Sequence, residues 1–195
     1  MSRQAIALDG ADAEAHCTLA AARLYGRSDY EGALAEAERA LALSPNLASA
    51  HLAFGETLIF SGHPREGLAA LDRFIRLDPH SPVLPGRPGL LNLLALGLYL
   101  SGEYEAAVEA AKRAIHSDPD FPSPYRWLAA ALGQLGRVTE AEEALEKAVA
   151  IAPASFDMYV RRRVPWHRLE DHAHMLEGLR KAGWKDQAAS VPQAQ

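Results

Sequence analysis

The chain has 195 residues, of which 49% are apolar and 23% are charged, so it is long enough for one sizeable soluble domain with a buried core. Its net charge of −5 provides no overall positive field that would hold nucleic acid. The most apolar run, residues 90–100, is too short to cross a bilayer, and residues 1–10 do not resemble a signal peptide. We therefore expect a cytoplasmic protein with no membrane or nucleic-acid partner.

The only cysteine is Cys17, which cannot form a disulfide within the chain or contribute to a cysteine-rich zinc site. A single cysteine in such a chain is more often a small buried residue than a nucleophile, and it indicates a reducing compartment. We expect no metal and no cofactor.

The dominant feature of the sequence is an internal repeat. Residue pairs that end in Pro45, Pro79, Pro119 and Pro153 are 34, 40 and 34 residues apart. The same spacing separates two further sets, one of turn-forming residues (Ser28, Gly62, Gly102 and Gly136) and one of small residues (Ala33, Gly67, Ala107 and Ala141). Each set suits a helix–turn–helix unit: the first ends one helix, the second allows the next helix to approach closely, and the proline ends the unit.

Apolar residues between these marks recur at helical spacing, and no segment alternates like a strand. The predicted helix pairs are 12–25 with 30–43, 48–60 with 64–77, 88–101 with 104–117, and 124–135 with 138–151. Because each pair has an apolar face that only its neighbour can cover, we predict an all-α solenoid.

This pattern resembles the tetratricopeptide repeat, whose 34-residue unit carries aromatic, Leu-Gly, Ala and Pro positions at set offsets. The clearest copies are residues 48–79 and 122–153. The resemblance implies a right-handed α–α superhelix. The predicted organisation is the end of a preceding, truncated repeat at 1–10, repeats at 11–45, 46–79, 80–119 (with a loop insertion at 82–87) and 120–153, a linker and capping helix at 154–184, and a disordered tail at 185–195.

The family resemblance also implies a binding surface, because the first helix of each pair lines a concave groove in that family. The positions that match the groove-facing places are Leu52, Glu56, Phe60, Asn92, Leu96, Tyr99, Arg126, Trp127, Ala130 and Gln134. Several are apolar or aromatic, which favours an anchor pocket for an amphipathic helix or an extended peptide. The alternative interpretation is that individual members only pack between adjacent helix pairs.

The segment "VRRRVPWHRLEDHAHMLE" at 160–177 concentrates arginines and histidines, and zinc binding, nucleic-acid contact and a structural lid are three interpretations of it. His172 and His174 would point about 200° apart on a helix, which opposes a shared metal. The segment is basic only locally, which makes a nucleic-acid contact the weaker alternative. The interpretation that requires the fewest assumptions is a helix over 170–182 that closes the solenoid. Its predicted apolar face contains Ala173, Met175, Leu176 and Leu179.

A second resemblance starts from residues 126–142 and from "EDHAHMLEGLRKAG" at 170–183, which are similar to the C-terminal endings of bacterial class III adenylate/guanylate cyclases that carry tetratricopeptide repeats. It implies a non-catalytic regulatory region of a larger bacterial protein. We expect a protein-interaction module without enzyme activity that binds a protein or peptide partner. The alternatives are a free-standing adaptor and a homodimerisation module.

Overall fold

The computed structural model describes residues 12–79, 88–161 and 168–185. Within these ranges all regular secondary structure is helical, which confirms the all-α prediction. The helices are α1 Ala13–Arg27, α2 Tyr30–Leu43, α3 Ala48–Phe60, α4 Pro64–Leu77, α5 Pro88–Leu100, α6 Tyr104–Ser117, α7 Ser123–Gln134, α8 Val138–Ile151, α9 Pro153–Val160 and α10 Leu169–Lys181. The predicted half-repeat at 1–10, the insertion at 82–87 and the tail beyond 185 lie outside the described residues.

The predicted turn residues end the first helix of each pair. Ser28, Gly62, Gly102 and Gly136 have φ angles of 53°, 88°, 82° and 72°, a left-handed conformation that glycine adopts without a steric cost. Ser28 is the one residue of this set with a Cβ. The repeated prolines follow two residues after the ends of α2, α4, α6 and α8, as the sequence predicts. The four helix pairs are therefore confirmed, whereas the exact repeat boundaries stay a prediction.

The predicted small residues lie where the two helices of a pair cross. Ala33, Ala107 and Ala141 are fully buried. In the second pair a Cβ on Gly67 would lie 2.6 Å from the carbonyl oxygen of Gly55, so the backbones of α3 and α4 are in contact there. Only a residue without a side chain permits this approach, which explains why glycine replaces alanine in this repeat.

The buried apolar residues form two clusters. The smaller one joins α1 to α3 around Cys17 and Ala20, and burial raises the pKa of the Cys17 thiol. This placement agrees with the interpretation of Cys17 as a small core residue. The larger cluster runs from α3 to α10 and contains Tyr99 and Trp127. The core therefore extends along the stack of pairs and includes the C-terminal helix.

The segment after the last pair contains one helix that the sequence analysis did not predict. Pro153 begins α9, where a missing N–H costs nothing, and Phe156 and Val160 are buried four residues apart on one face of the helix, which contacts α8. The predicted helix over 170–182 is present as α10. None of the described helices combines the length and the apolar character that a membrane span needs.

Candidate binding groove

The first helices of the four pairs, α1, α3, α5 and α7, meet around a cavity of about 180 Å³. Its lining is mostly apolar and comes from all four of these helices, from the start of α2 and from α9: Leu24, Tyr25, Tyr30, Phe60, Asn92, Leu96, Ser123, Arg126, Trp127 and Tyr159. A neighbouring cavity of about 510 Å³ shares Tyr25, Phe60, Asn92 and Leu96 and adds Leu52, Glu56 and Phe121. We call these two connected cavities the open groove.

Seven of the ten predicted groove residues line the open groove: Leu52, Glu56, Phe60, Asn92, Leu96, Arg126 and Trp127. Tyr25 of α1 packs edge-on against Phe60, with ring centroids 5.9 Å apart. Its hydroxyl donates a hydrogen bond to the Glu56 carboxylate, and 60% of Tyr25 is exposed. Burial raises the pKa of Glu56 above its usual range. Partial desolvation of the Tyr25 hydroxyl, together with the neighbouring Glu56 carboxylate, raises the pKa of Tyr25 as well. The open groove thus has aromatic and aliphatic walls and one carboxylate held by a tyrosine.

Arg126 and Trp127, also predicted groove residues, are only 2% exposed. The ring of Tyr159, from α9, lies over the Arg126 guanidinium with 3.4 Å between Cζ and the ring centroid, and Trp127 is 5.1 Å away. The Nη2 atom of Arg126 donates to the hydroxyl of Ser123 at 3.1 Å. Burial lowers the pKa of Arg126 to about 10, which leaves the guanidinium charged at neutral pH. The Tyr159 ring thus covers one face of the Arg126 guanidinium within the open groove.

The remaining predicted residues, Tyr99, Ala130 and Gln134, lie under α10. Tyr99 is fully buried, and its hydroxyl donates to the carbonyl oxygen of His174 at 2.6 Å. The imidazole of His174 stacks on the Tyr99 ring with centroids 4.5 Å apart and planes at 23°, and its Nε2 is 2.9 Å from the Tyr104 hydroxyl. Burial lowers the pKa of His174, so the neutral ring is favoured.

Small residues allow α10 to press against α7. A Cβ on Gly178 would lie 2.6 Å from the carbonyl oxygen of Ala130 and 2.5 Å from the Tyr99 hydroxyl. A Cβ on Gly133 would lie 2.2 Å from the carbonyl oxygen of Gly178. Any side chain at either position would force the two helices apart.

Polar contacts at the two ends of α10 connect it to the second and the fourth helix pairs. At the start of the helix, Arg168 donates to the carbonyl oxygen of Gly62 in the second pair at 3.0 Å. At its end, Lys181 donates to Gln134 in the fourth pair at 2.6 Å. The C-terminal helix therefore buries apolar surface, as predicted, but it does so on the inner helices. The outer helix α8 is instead contacted by α9.

The apolar face of α10 differs in part from the prediction. Met175 and Leu179 are fully buried as expected, together with Ala182. Ala173, predicted on this face, is exposed, and His174 faces the inner helices instead. The polarity of histidine did not indicate this placement, because the His174 imidazole packs as an aromatic ring on Tyr99 and its Nε2 lies within hydrogen-bond distance of the Tyr104 hydroxyl.

Three cations near the C-terminus, Arg161, Arg168 and Lys181, lie close to carboxylates of the same chain. Arg161 pairs with Asp157, Arg168 lies 3.8 Å from Glu170, and Lys181 pairs with Glu177 at 2.7 Å. Arg162, Arg163 and His167 lie outside the described residues. His172 is directed to the carbonyl oxygen of Tyr159, away from His174. Within the described ranges, no three His, Cys, Asp or Glu side chains are grouped so as to hold a metal ion.

Sequence reasoning missed Tyr25 and Tyr159 as groove residues. Tyr25 precedes the turn residue Ser28 by three positions, as Tyr99 precedes Gly102, so the repeat register could have identified it. Tyr159 lies in α9, outside the repeat pattern, and no periodic signal marks it.

Antiparallel helix pairs that stack side by side and enclose a groove along their inner helices define an α-solenoid. Two family profiles match this chain, over residues 52–120 and 98–159, and both are described as tetratricopeptide repeat. Together they cover residues 52–159, more than half of the sequence, and the chain belongs to the tetratricopeptide repeat family. Such repeats generally act as protein-interaction modules.

Among curated proteins, the chain is 33% identical over 88 residues to the small glutamine-rich tetratricopeptide repeat-containing protein 2 of Mycosarcoma maydis. The match covers 45% of this chain and 23% of that protein, so the chain spans less than a quarter of this relative's length.

Similar solved structures share the fold at low sequence identity. PilW, described as a type IV pilus biogenesis factor, is 19% identical with a TM-score of 0.68, over 93% of this chain and 78% of that one. MamA from Desulfovibrio magneticus RS-1 is 19% identical with a TM-score of 0.64, over 78% and 82% of the two chains. YrrB, described as having an unusual peptide-binding site, is 20% identical with a TM-score of 0.60, over 93% and 90%. These likenesses support the solenoid fold.

Proposed function

We propose that this chain is a non-catalytic protein-interaction module that binds a peptide or a short helix of another protein in the open groove. The observation that supports this proposal is the convergence of all four inner helices on one apolar cavity system that remains accessible beside α9 and α10. Concave sites with apolar walls and a few polar groups are the usual form of a binding site.

The lining of the open groove indicates the chemistry of the ligand. Leu52, Phe60 and Leu96 offer apolar contact to one or two large side chains. The side-chain oxygen of Asn92 is buried without a hydrogen-bond partner among the described residues, so it can accept an N–H from a peptide backbone. Glu56 is engaged by Tyr25, which leaves little free charge in this part of the groove. We expect a mainly apolar ligand segment.

The experiment that tests this proposal is site-specific photo-crosslinking in the source cell. A photoreactive amino acid replaces Phe60 in the open groove, and a matched control places the same group at Val138, which is half-exposed on the outer helix α8. We expect a partner that crosslinks from position 60 and not from 138, and that is lost when Leu52→Glu adds a charge to the groove wall. Equal capture from both positions, or capture that Leu52→Glu does not change, would refute groove binding.

The larger protein context is a separate proposal. We propose a regulatory role next to a bacterial nucleotide cyclase domain, with cytoplasmic location, on the similarity of residues 126–142 and 170–183. A free-standing adaptor agrees equally well with the solenoid, and the relatives described above are tetratricopeptide repeat proteins that do not support the cyclase link. The coding sequence upstream of residue 1 distinguishes these two contexts directly. A homodimer that used Tyr99 or Trp127 would require α9 and α10 to move, because both residues are buried.

A further inference from the structure

The geometry points to α10 as an internal occupant of a helix-binding surface: we propose that the inner face under α10 accepts an amphipathic helix of a partner protein, which competes with α10 for it. This role rests on the proposed function of the groove and deepens it by naming the kind of partner. It adds a second surface, formed by Tyr99, Tyr104, Ala130, Gly133 and Gln134, which we call the covered surface.

The track of α10 is that of a bound helix rather than of a further repeat. In this solenoid, each new first helix packs against both helices of the preceding pair, as α7 packs against α5 and α6. By contrast, α10 packs mainly against α7, and it reaches Tyr104 in the third pair and Gly62 in the second. A helix that crosses the inner helices of successive repeats occupies the position where a solenoid of this kind would hold a ligand.

The contacts of α10 define what the covered surface recognises. His174, Gly178 and Ala182 are spaced by four residues and share one face of the helix. The ring of His174 stacks on Tyr99, Gly178 touches Ala130, and Ala182 is fully buried. A partner helix therefore needs a flat ring or similar group, followed by two small residues at intervals of four, with large apolar residues next to them as in Met175 and Leu179.

Several features make this contact suited to exchange with a partner. The ends of α10 are held by Arg168 and Lys181, whose side chains are exposed, and surface contacts of this kind contribute little stability. Gly133 and Gly178 set the closest crossing of α10 and α7, so a single added methyl group at this point is enough to disturb the contact. A partner that presents the same pattern gains the contacts that α10 gives up. Its apparent affinity equals the intrinsic affinity multiplied by the fraction of chains in which α10 is displaced, so docked α10 weakens binding.

A substitution at Gly178 is expected to release α10 from the covered surface without weakening α10 as a helix. Gly178→Ala favours α10 as a helix, because alanine has the higher helix propensity, yet its Cβ cannot be accommodated against Ala130. The matched control is Gly26→Ala in α1, where a Cβ would meet no atom within 4 Å. A locked form joins Gln134→Cys to Lys181→Cys with a short bifunctional crosslinker, in a Cys17→Ala background.

The test uses full-length chains and, as the probe, a fluorescent peptide with the sequence of residues 168–185. We expect the peptide to bind Gly178→Ala at least about tenfold more tightly than it binds the wild type or Gly26→Ala, and not to bind the locked form. A peptide carrying Gly178→Leu should fail to bind, whereas one carrying Ala173→Leu, at the exposed position, should bind normally. Equal binding to the open and locked chains, or no binding to the folded Gly178→Ala chain, would overturn the proposal.

Hydrogen exchange on the wild-type chain decides the matter if Gly178→Ala does not fold. We expect the amides of α10 to exchange at least about tenfold faster than those of α7, and the crosslink to remove this difference. Exchange of α10 only together with α7 would show that it is a permanent part of the core and would overturn the proposal. Neither measurement depends on a ligand of the open groove, so a failure here is distinct from a failure of the proposed function.

Discussion

Two aromatic residues predicted to bind ligand, Trp127 and Phe60, should respond very differently to truncation. Trp127 is 2% exposed and packs on Tyr99 with ring centroids 5.6 Å apart, whereas Phe60 lies half-buried in the wall of the open groove. A buried tryptophan removes roughly 150–250 Å² from water, which corresponds to about 4–6 kcal/mol at 25 cal/mol per Å². Measured tryptophan or phenylalanine truncations in protein cores cost about 3–5 kcal/mol, because the site partly relaxes.

We therefore expect Trp127→Ala to lower the free energy of unfolding by about 3–5 kcal/mol and Phe60→Ala to lower it by roughly 1–2 kcal/mol. The assay is urea denaturation followed by far-ultraviolet circular dichroism, with equal slopes required for the comparison. Phe60→Ala should in addition weaken binding of the partner captured at position 60. A loss below about 1 kcal/mol for Trp127→Ala would refute the conclusion that this residue is held in the core.

Three further predictions concern the turns, the helix crossings and pH. Ser28→Gly should raise the free energy of unfolding by up to about 1 kcal/mol, because Ser28 has a φ of 53°; an unchanged melting temperature would contradict this. Gly67→Ala should cost about 1–3 kcal/mol in urea titrations, because its Cβ would meet the Gly55 carbonyl oxygen at 2.6 Å, while Gly26→Ala should be neutral or stabilising. Burial lowers the pKa of His174 in the folded state, so the unfolded chain binds a proton first, and stability should fall as the pH drops from about 6.5 towards the folded-state pKa. Urea midpoints at several pH values should show a smaller fall for His174→Phe than for the wild type; an identical pH dependence would contradict this assignment.

The fold was predictable because the repeat constrains each unit in the same way. Gly62, Gly102 and Gly136 mark positions where only a left-handed backbone continues the chain, and the prolines mark positions where a helix cannot continue. These constraints are steric and involve only neighbouring residues, so they can be located from a single sequence without an alignment. The predicted helix ends agree with the structure within two residues for the eight helices of the four pairs.

The candidate site was predictable only in part, because the repeat register says which residues face inward and not what covers them. Leu52, Phe60 and Leu96 line the open groove as expected, whereas Tyr99 and Ala130 are buried by a helix about 45–75 residues further along the chain. The closest approach of α10 to α7, at Gly133 and Gly178, has no periodic signature. Long-range contacts of this kind require the three-dimensional structure.

Side-chain footprinting of the chain with its captured partner tests the central claim, that the inner face of the solenoid binds the ligand. Hydroxyl radicals modify exposed side chains, and Tyr25 in the open groove is 60% exposed while Met158 on α9 is 42% exposed and lines neither groove cavity. We predict that the partner protects Tyr25 and Phe60 and leaves Met158 unchanged. Protection of Met158 or Val138 with no change at Tyr25 and Phe60 would place the interaction outside the groove and contradict the account.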